Sequence, residues 1–381
     1  MAKRAPVTPL PTDPKGNFVS EWFGHRVFPM VAVGAAPLSD QQANRCPFLS
    51  RATAEPRLCI KSPSSLGICT INSSSNGRRQ DWLVCPYRAI DQHLLDVVVQ
   101  RLYGLSDRKP VLIVPAPALA APRVRRKFTK AVHESGSAFV FFEAKLGGEL
   151  SVPATDRSPE LAFDFTLVPV YPGKGRELSL GRHAILEIQT MDFHGSYDAV
   201  SKNLRDALRL HREGFHATLA ANQSWLSQKI EGPNIANVFK RTFYQMALKF
   251  QIGADEATAG CVLAIPEAVW DSWQRHLARP ELNAEKDGTF SLWPLTGRPA
   301  GRIPAWIYVF DVDASSRLSP APLIIRKVIA TSAEALAHYA LQVAPRHAVA
   351  GAGNADAFVK TIRRRLRVWW PELSDAELAA R

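Results

Sequence analysis

A mixed α/β protein, most simply a mixed sheet flanked by helices with a small metal module added at the front, is what the sequence predicts. Three observations lead there. Short apolar runs bounded by Pro and Gly alternate with longer segments whose apolar residues recur every three to four positions, as strands and helices sharing one chain do. Four cysteines, Cys46, Cys59, Cys69 and Cys85, fall close together in a segment rich in Ser, Asn and Arg. Finally, 381 residues with hydrophobic types at 46% suffice for one large core or two smaller ones, so the chain is globular rather than disordered.

The elements follow in order. Residues 1–16, rich in Pro and charge, read as a flexible arm, 17–88 as the cysteine module, and 89–381 as the main body. Within the body, Ala89–Tyr103 places Ile90, Leu94, Leu95, Val98 and Leu102 on one helical face. Residues 110–115 are a short buried strand, Pro122–Glu134 is a basic helix, and 138–143 is another strand. The runs 163–168 and 183–189, separated by a break at Tyr171-Pro-Gly, read as neighbouring strands. Helices are expected over Asp198–Glu213 and Asn234–Phe250, and strands over Cys261–Ile265, Trp306–Val312 and Leu323–Ala330. Two further helices, Ala333–Val343 and Ala355–Trp369, close the pattern.

The cysteine segment looks too polar and loop-rich to hold itself together, so a crosslink is expected. Four thiolates around one tetrahedral ion would supply it and contribute folding free energy directly. Zinc and iron both suit sulfur ligands. Two disulfides or four separate buried thiols are the alternatives, since the gaps are long and no Cys-x-x-Cys knuckle is present. The opening residues lack the apolar core of a signal peptide, and no window approaches the roughly 18 apolar residues of a membrane span. A cytoplasmic chain with reduced thiols is therefore expected, which favours metal over disulfide. Cys261, in an apolar run, reads as a packed core thiol.

Charge narrows the partner. Lys plus Arg number 47 against 35 Asp plus Glu, a net +12. That balance points to a polyanion, most often nucleic acid. No Gly-x-Ser-x-Gly elbow, His-Glu-x-x-His helix or Walker loop appears, which argues against the hydrolase and nucleotide-triphosphatase classes those motifs mark.

One constellation could carry chemistry. Strand periodicity puts Glu187 and Gln189 on one face. If 163–170 and 182–189 pair antiparallel with partner numbers summing to about 352, Asp164 lies across from Ile188, and Asp164, Glu187 and Gln189 converge. Two carboxylates and the carbonyl between Glu187 and Gln189 make a hard oxygen site suited to Mg²⁺. Such an ion neutralises a phosphodiester and activates water, while Gln189, unable to take a proton, would orient the attacking water. Glu149 is a candidate fourth member. Asp192 and His194, just past the strand, read as hydrogen-bonded structure.

Several longer passages resemble the NotI-type restriction endonucleases: Glu21-Trp-Phe-Gly-His-Arg-Val-Phe-Pro, the four cysteines with Asp81-Trp-Leu-Val-Cys-Pro, and Lys145-Leu-Gly-Gly-Glu-Leu-Ser. Leu186-Glu-Ile-Gln-Thr-Met-Asp-Phe-His-Gly-Ser-Tyr, Glu231-Gly-Pro-Asn-Ile-Ala-Asn-Val-Phe-Lys-Arg and Asp287-Gly-Thr-Phe-Ser-Leu extend the likeness over nearly the whole chain. The resemblance implies a PD-(D/E)xK fold and a type II enzyme cutting an eight-base-pair G/C palindrome, GCGGCCGC, to leave 5' overhangs. It implies structural iron on Cys46, Cys59, Cys69 and Cys85, and an active site of Asp164, Glu187 and Gln189 with Glu149 as accessory acid. Phe163 stands where that superfamily has Pro, and Gln189 where it has Lys; the second departure is shared with the NotI type. The implied partners are double-stranded DNA, a second copy of the chain, and a cognate DNA methyltransferase acting without contact in a bacterial cytoplasm.

Reading G·C pairs calls for Arg or Lys on guanine and carboxylates on cytosine. Arg88 and Asp91 are the candidates, with Tyr87 beside them as a departure that could alter base preference. Lys61, Arg78, Arg79, Lys240 and Arg241 are candidate phosphate contacts. The rival readings are a structure-selective repair nuclease, a non-catalytic metal-stapled DNA-binding protein, and a metal-storage or redox protein.

Overall fold

The computed structural model describes residues 15–372 except 76, 106–110, 176, 295–296, 299–300, 314 and 352–353. The expected arm over 1–16 lies almost wholly outside the described residues.

The cysteine segment holds more regular structure than its composition suggests. Strands β1 (Phe18–Trp22) and β2 (His25–Arg26) are followed by helices α1 (Ala35–Gln42) and α2 (Pro47–Thr53), then strands β3 (Ile68–Ser75) and β4 (Arg78–Leu83). The strands form an antiparallel sheet in the order β2-β1-β3-β4. Phe18, Val19, Trp22, Phe23, Val27, Phe28, Ile68, Ile71 and Trp82 are buried in a core shared with the body. Trp22 packs on Phe215 with ring centroids 6.0 Å apart, and Trp82 meets Phe193 edge-on at 6.2 Å. The expectation of a segment that only a crosslink could close is therefore corrected. Its aromatic residues, diluted among Ser and Asn in the sequence, are gathered onto one surface by strand alternation.

The body begins with helix α3 (Gln92–Tyr103), strand β5 (Ile113–Pro115), helix α4 (Pro122–Ser135) and strand β6 (Ala138–Phe142). Then come β7 (Leu150–Val152), β8 (Leu161–Phe163), β9 (Phe165–Pro172), β10 (Leu178–Leu180), β11 (His183–Ile188) and β12 (Phe193–Gly195). Helices α5 (Asp198–Leu210) and α6 (Phe215–Ala221) lead through β13 (Ile230–Pro233) into the long α7 (Ile235–Gly253). Strand β14 (Thr258–Pro266), helix α8 (Glu267–Trp273), and strands β15 (Asn283–Ala284), β16 (Phe290–Ser291), β17 (Ala305–Val312) and β18 (Leu323–Thr331) complete the sheet. Helices α9 (Ala333–Ala337), α10 (Ala344–Ala350) and α11 (Asn354–Leu366) end the described chain.

The main sheet is mixed, in the order β15-β16-β18-β17-β14-β11-β9-β6-β5, with β10 paired to β9. Strands β11, β14 and β17 run parallel, and β14 is buried along its whole length, as its unbroken apolar run requires. Strand alternation splits their side chains between two layers. Ile185, Leu263 and Ile307 face a core that includes Val238, Phe239, Met246 and Phe250 of α7. Leu186, Val262 and Trp306 face the other core, with Leu94, Leu95, Val98 and Val99 of α3. Helices thus cover both faces. No described helix is long and apolar enough to cross a membrane.

Local chemistry sets the boundaries. Helix α3 starts three residues later than periodicity suggests because Asp91 is its N-cap, Oδ1 accepting from the His93 and Leu94 N–H groups at 3.0 and 3.4 Å. Strands β9 and β11 pair antiparallel as expected, but Ala184–Leu167, Ile185–Thr166 and Leu186–Phe165 give partner numbers summing to 351. That one-residue difference brings Asp164 opposite Glu187 instead of Ile188.

Candidate functional site

The strand directions bring chemistry to one end of the sheet. Strand β9 is antiparallel to both β6 and β11. The carboxyl ends of β6 and β11 and the start of β9 therefore coincide, carrying Glu143, Glu187 with Gln189, and Asp164 respectively. The Asp164 N–H donates to Glu187 Oε1 at 3.2 Å, and the Ile188 N–H donates to Asp164 Oδ2 at 3.0 Å. These two backbone-to-carboxylate bonds hold the two carboxylates side by side. The sequence-predicted trio does meet.

Beside them opens a cavity of about 280 Å³, whose lining includes Tyr87, Glu143, Glu149, Asp164, Gln189 and Arg241. Glu187 is not on its wall. Its side chain is only 5% exposed and its Oε2 lies 2.5 Å from the Nζ of Lys249, itself 6% exposed, on α7. Burial first, and then the Asp164 charge, push the Glu187 carboxyl up to about 8 against the pull of Lys249. Gln189 is held by the same helix, its Oε1 accepting from the Thr242 hydroxyl. One helix therefore fixes both members of the Glu-x-Gln pair.

Sequence reasoning missed two members. Glu143 is buried, accepts the Lys145 N–H at 2.9 Å, and is hydrogen-bonded by the Tyr87 side chain. Burial, with the Glu149 and Asp164 charges, raises its carboxyl above the ordinary range, and the Lys145 and Tyr87 bonds oppose that rise. Lys249 did leave a signal: it falls on the buried stripe Thr242, Met246, Lys249, Phe250, Gly253 of α7, where an unpaired ammonium would be untenable. Glu149 itself is exposed at the cavity mouth.

A larger groove, about 940 Å³, runs along α3 past β17 and β18. Its acids are already engaged, Asp96 with Gln92 and Asp287 with Arg101 and Thr289.

The candidate DNA contacts separate. Arg88 is 1% exposed and its guanidinium is spent on Glu21, Nε to Oε2 at 3.0 Å, and on the Ala321 carbonyl at 2.6 Å. Asp91 is a helix cap. Neither side chain is free to reach a base edge, so that expectation is corrected: what the sequence offers as a polar pair after the last cysteine is internal structure. Lys61 is also turned inward, donating to the Ile68 carbonyl at 2.7 Å and the Val84 carbonyl at 3.4 Å, and so ties the cysteine loops rather than projecting to a phosphate. Arg79 bonds Asn72 Oδ1 and the Gly16 carbonyl, both at 2.8 Å. Arg78 is exposed and 3.7 Å from Asp271. Lys240 is exposed, and Arg241 reaches the cavity while pairing with Asp192 at 2.8 Å.

Cys46, Cys69 and Cys85 are buried in one core and Cys59 packs against it, all as free thiols. Cys46 and Cys59 are linked through the bridge between Arg45 and Leu58, while Cys69 and Cys85 flank the β3–β4 ladder and hydrogen-bond side chain to side chain. Backbone N–H groups point at the sulfurs: those of Phe48 and Leu49 at Cys46, Lys61 and Gly67 at Cys59, Tyr87 and Arg88 at Cys85. Gly67, at φ +76°, makes its part possible, since a Cβ there would lie 2.6 Å from the Phe23 ring. Burial pushes the Cys46 thiol up to about 12, whereas the bond from Cys69 holds the Cys85 thiol down. Among the described residues no three His, Cys, Asp or Glu side chains are arranged as a ready ion cage. The donor set itself, four thiols with amide N–H groups aimed at three of them, is of the kind that suits a thiolate-bound ion.

No protein-family model matches the chain, and no curated protein matches it.

Proposed function

We propose that the chain is a Mg²⁺-dependent type II restriction endonuclease of the PD-(D/E)xK kind, resembling the NotI type, that cuts both strands of an eight-base-pair G/C palindrome. The observation that carries this reading is the pair of bonds by which the Asp164 N–H meets the Glu187 carboxylate and the Ile188 N–H meets the Asp164 carboxylate, at a sheet end that opens onto an acidic cavity. Asp164 and the Ile188 carbonyl would hold the ion from the cavity side, Glu187 would join them by turning an oxygen from Lys249 toward it, and Glu143 and Glu149 would serve its water shell. The bound ion would neutralise the phosphodiester and lower the pKa of the attacking water. Gln189, fixed by Thr242, orients that water, and Arg241 at the cavity mouth meets the phosphate charge. Lys249 supplies from the helix the positive charge that Gln189 lacks.

Cys46, Cys59, Cys69 and Cys85 would bind iron, or zinc, as a structural crosslink. Cutting both strands of a palindrome calls for two sites related by a twofold axis, hence a homodimer. A cognate methyltransferase would protect the host DNA in a bacterial cytoplasm.

The test is digestion of GC-rich DNA by the purified protein with Mg²⁺, followed by sequencing of the ends. Ends confined to one G/C palindrome with complementary 5' overhangs are expected. Cutting at forks or free ends without sequence preference would replace this reading with a repair nuclease, and intact DNA would leave a non-catalytic DNA-binding protein.

A further inference from the structure

Helix α4 breaks a local rule. Arg123, Arg125, Arg126 and Lys127 crowd its first two turns, which contain no acidic residue, although the positive end of a helix disfavours cations. All four side chains are exposed, and none pairs with an acid among the described residues; the helix's own ion pair, Lys130 with Glu134, lies further along. Phe128 and Val132, on the opposite face, are buried against β6 and β9 and anchor the helix firmly. A concentration of unpaired like charge on a well-anchored helix end is stable only at a cost that an external anion would relieve.

Topology says where that end lies. Strands β5 and β6 are parallel, Val114 beside Val140 and Pro115 beside Phe141, and α4 is the crossover between them. A crossover helix starts at the carboxyl ends of the strands it joins. The loop after β6 confirms the placement, because a Cβ on Gly147 would lie 3.3 Å from Pro117 and 3.5 Å from Ala116, just before α4. The carboxyl end of β6 carries Glu143 and borders the carboxylate cavity. The cations therefore start from the same end of the sheet as the site, and Lys145, also exposed, lies two residues past Glu143 in the loop that follows β6.

We propose that the first two turns of α4 bind the phosphate backbone of duplex DNA alongside the cavity, through Arg123, Arg125, Arg126 and Lys127. The inference rests on the nuclease reading for its choice of duplex DNA as partner. Phosphate-spanning cations, rather than base-reading groups, are what this surface offers: the side chains are long, unpaired and spread around a helix end, so they position a backbone without specifying a sequence.

The experiment measures binding of a labelled duplex bearing the palindrome to the full chain, without divalent metal, as salt is varied. The combined variant Arg123→Gln, Arg126→Gln, Lys127→Gln keeps helix propensity and is compared with a control of equal charge change on α11, Lys360→Gln, Arg364→Gln, Arg365→Gln. Each lost phosphate contact lowers the slope of log affinity against log salt by about 0.9, so the α4 variant should lose about 2 to 3 and the control less than about 1. An unchanged slope in the α4 variant, or equal losses in the two, would overturn the proposal. Amine labelling of Lys127 in the unaltered protein gives a second measure that needs no variant to fold: the duplex should protect it several-fold, and absence of protection, or equal protection by heparin, would likewise overturn it. Cleavage by the unaltered protein with Mg²⁺ separates the two ideas, since an active nuclease whose α4 variant binds normally keeps the function and loses only this surface.

Discussion

Replacing Lys249 with Met should destabilise the protein out of proportion to the atoms removed. The Lys249 ammonium lies 2.5 Å from Glu187 Oε2 with both side chains almost wholly buried, and it stands 5.9 Å from the centre of the Phe163 ring. Removing it takes away the charge that opposes the rise of the Glu187 carboxyl, already pushed up to about 8, so the group left beside Asp164 takes up a proton near neutral pH and stands without its donor. The loss is then at most that of a broken buried pair, about 3–5 kcal/mol. Unfolding entropy of about 2.1 cal/mol/K per residue gives about 0.8 kcal/mol/K for a chain of this length, so the melting temperature should fall by up to about 4–6 °C. Replacing both partners, as Glu187→Leu with Lys249→Met, removes the two buried charges together and should recover most of that loss, giving a coupling of up to about 3 kcal/mol across the cycle. Thermal and urea melts of the four proteins near neutral pH make the measurement. A single Lys249→Met variant melting within about 1 °C of the parent would refute the reasoning, because it would mean that the pair is solvated or unformed. The double variant should also be inactive, which separates what the pair does for stability from what it does for the site.

Other consequences can be checked alongside. Glu187→Gln keeps the shape and the hydrogen-bonding reach of the side chain but not its charge, and should lower cleavage by about 10²- to 10³-fold while leaving salt-sensitive DNA binding intact; full cleavage would remove Glu187 from the site. Cys69→Ser should lose bound metal and soluble protein together, measured by metal analysis of the folded fraction, and a folded, metal-free, fully active variant would sink the structural role. His25 gives a pH signature. Burial holds its pKa below 6.5, opposed by Asp40, which its Nε2 meets at 3.0 Å, and by Glu21, and aided by Arg88. The neutral ring is thus free of penalty above pH 6.5, and stability is lost as pH falls through 6.5 toward the folded value, because only the unfolded chain takes up the proton. Urea midpoints between about pH 7.5 and 5.5 should fall more steeply in the parent than in His25→Gln, and equal slopes would exclude His25 as the source.

Much of the body was legible because its signals are local. Strand β14 announces itself by an unbroken apolar run and α3 by apolar spacing, and both form there, with β14 longer than expected and α3 starting three residues later. The Asp164–Glu187 contact was nearly legible, since two short strands across one break leave little freedom of register; the residual slip of one position is what a sequence without a defined turn cannot fix. Arg88 was misread for a different reason. Its partner Glu21 lies on β1, far away in the chain, and nothing local distinguishes a basic residue that pairs internally from one that faces solvent. Glu143 was hidden in the same way, as the last residue of an apolar run, where a carboxylate reads as a strand terminator. Lys249 broke its local pattern openly, and a lysine on a buried helical stripe is the kind of conflict between local chemistry and burial that marks a site.

The arrangement also explains why the cysteine segment and the carboxylate cavity belong to one structure. Cys85 lies two residues past the end of β4, and two residues later Tyr87 reaches the cavity, where its side chain bonds Glu143. The Met191 N–H donates to the Leu83 carbonyl at 2.8 Å, joining the end of β4 to the chain just past Gln189. The position of β4 and its following turn therefore sets two walls of the cavity at once. A crosslink through Cys85 would hold that turn with the stiffness of a coordinate bond, so on the proposed reading the metal acts on cleavage through Tyr87 and Glu143 without approaching the reacting phosphate. Loss of the ion should accordingly loosen the cavity before it unfolds the sheet, because β1, β3 and β4 keep the buried aromatic core they share with the body around Trp22 and Trp82.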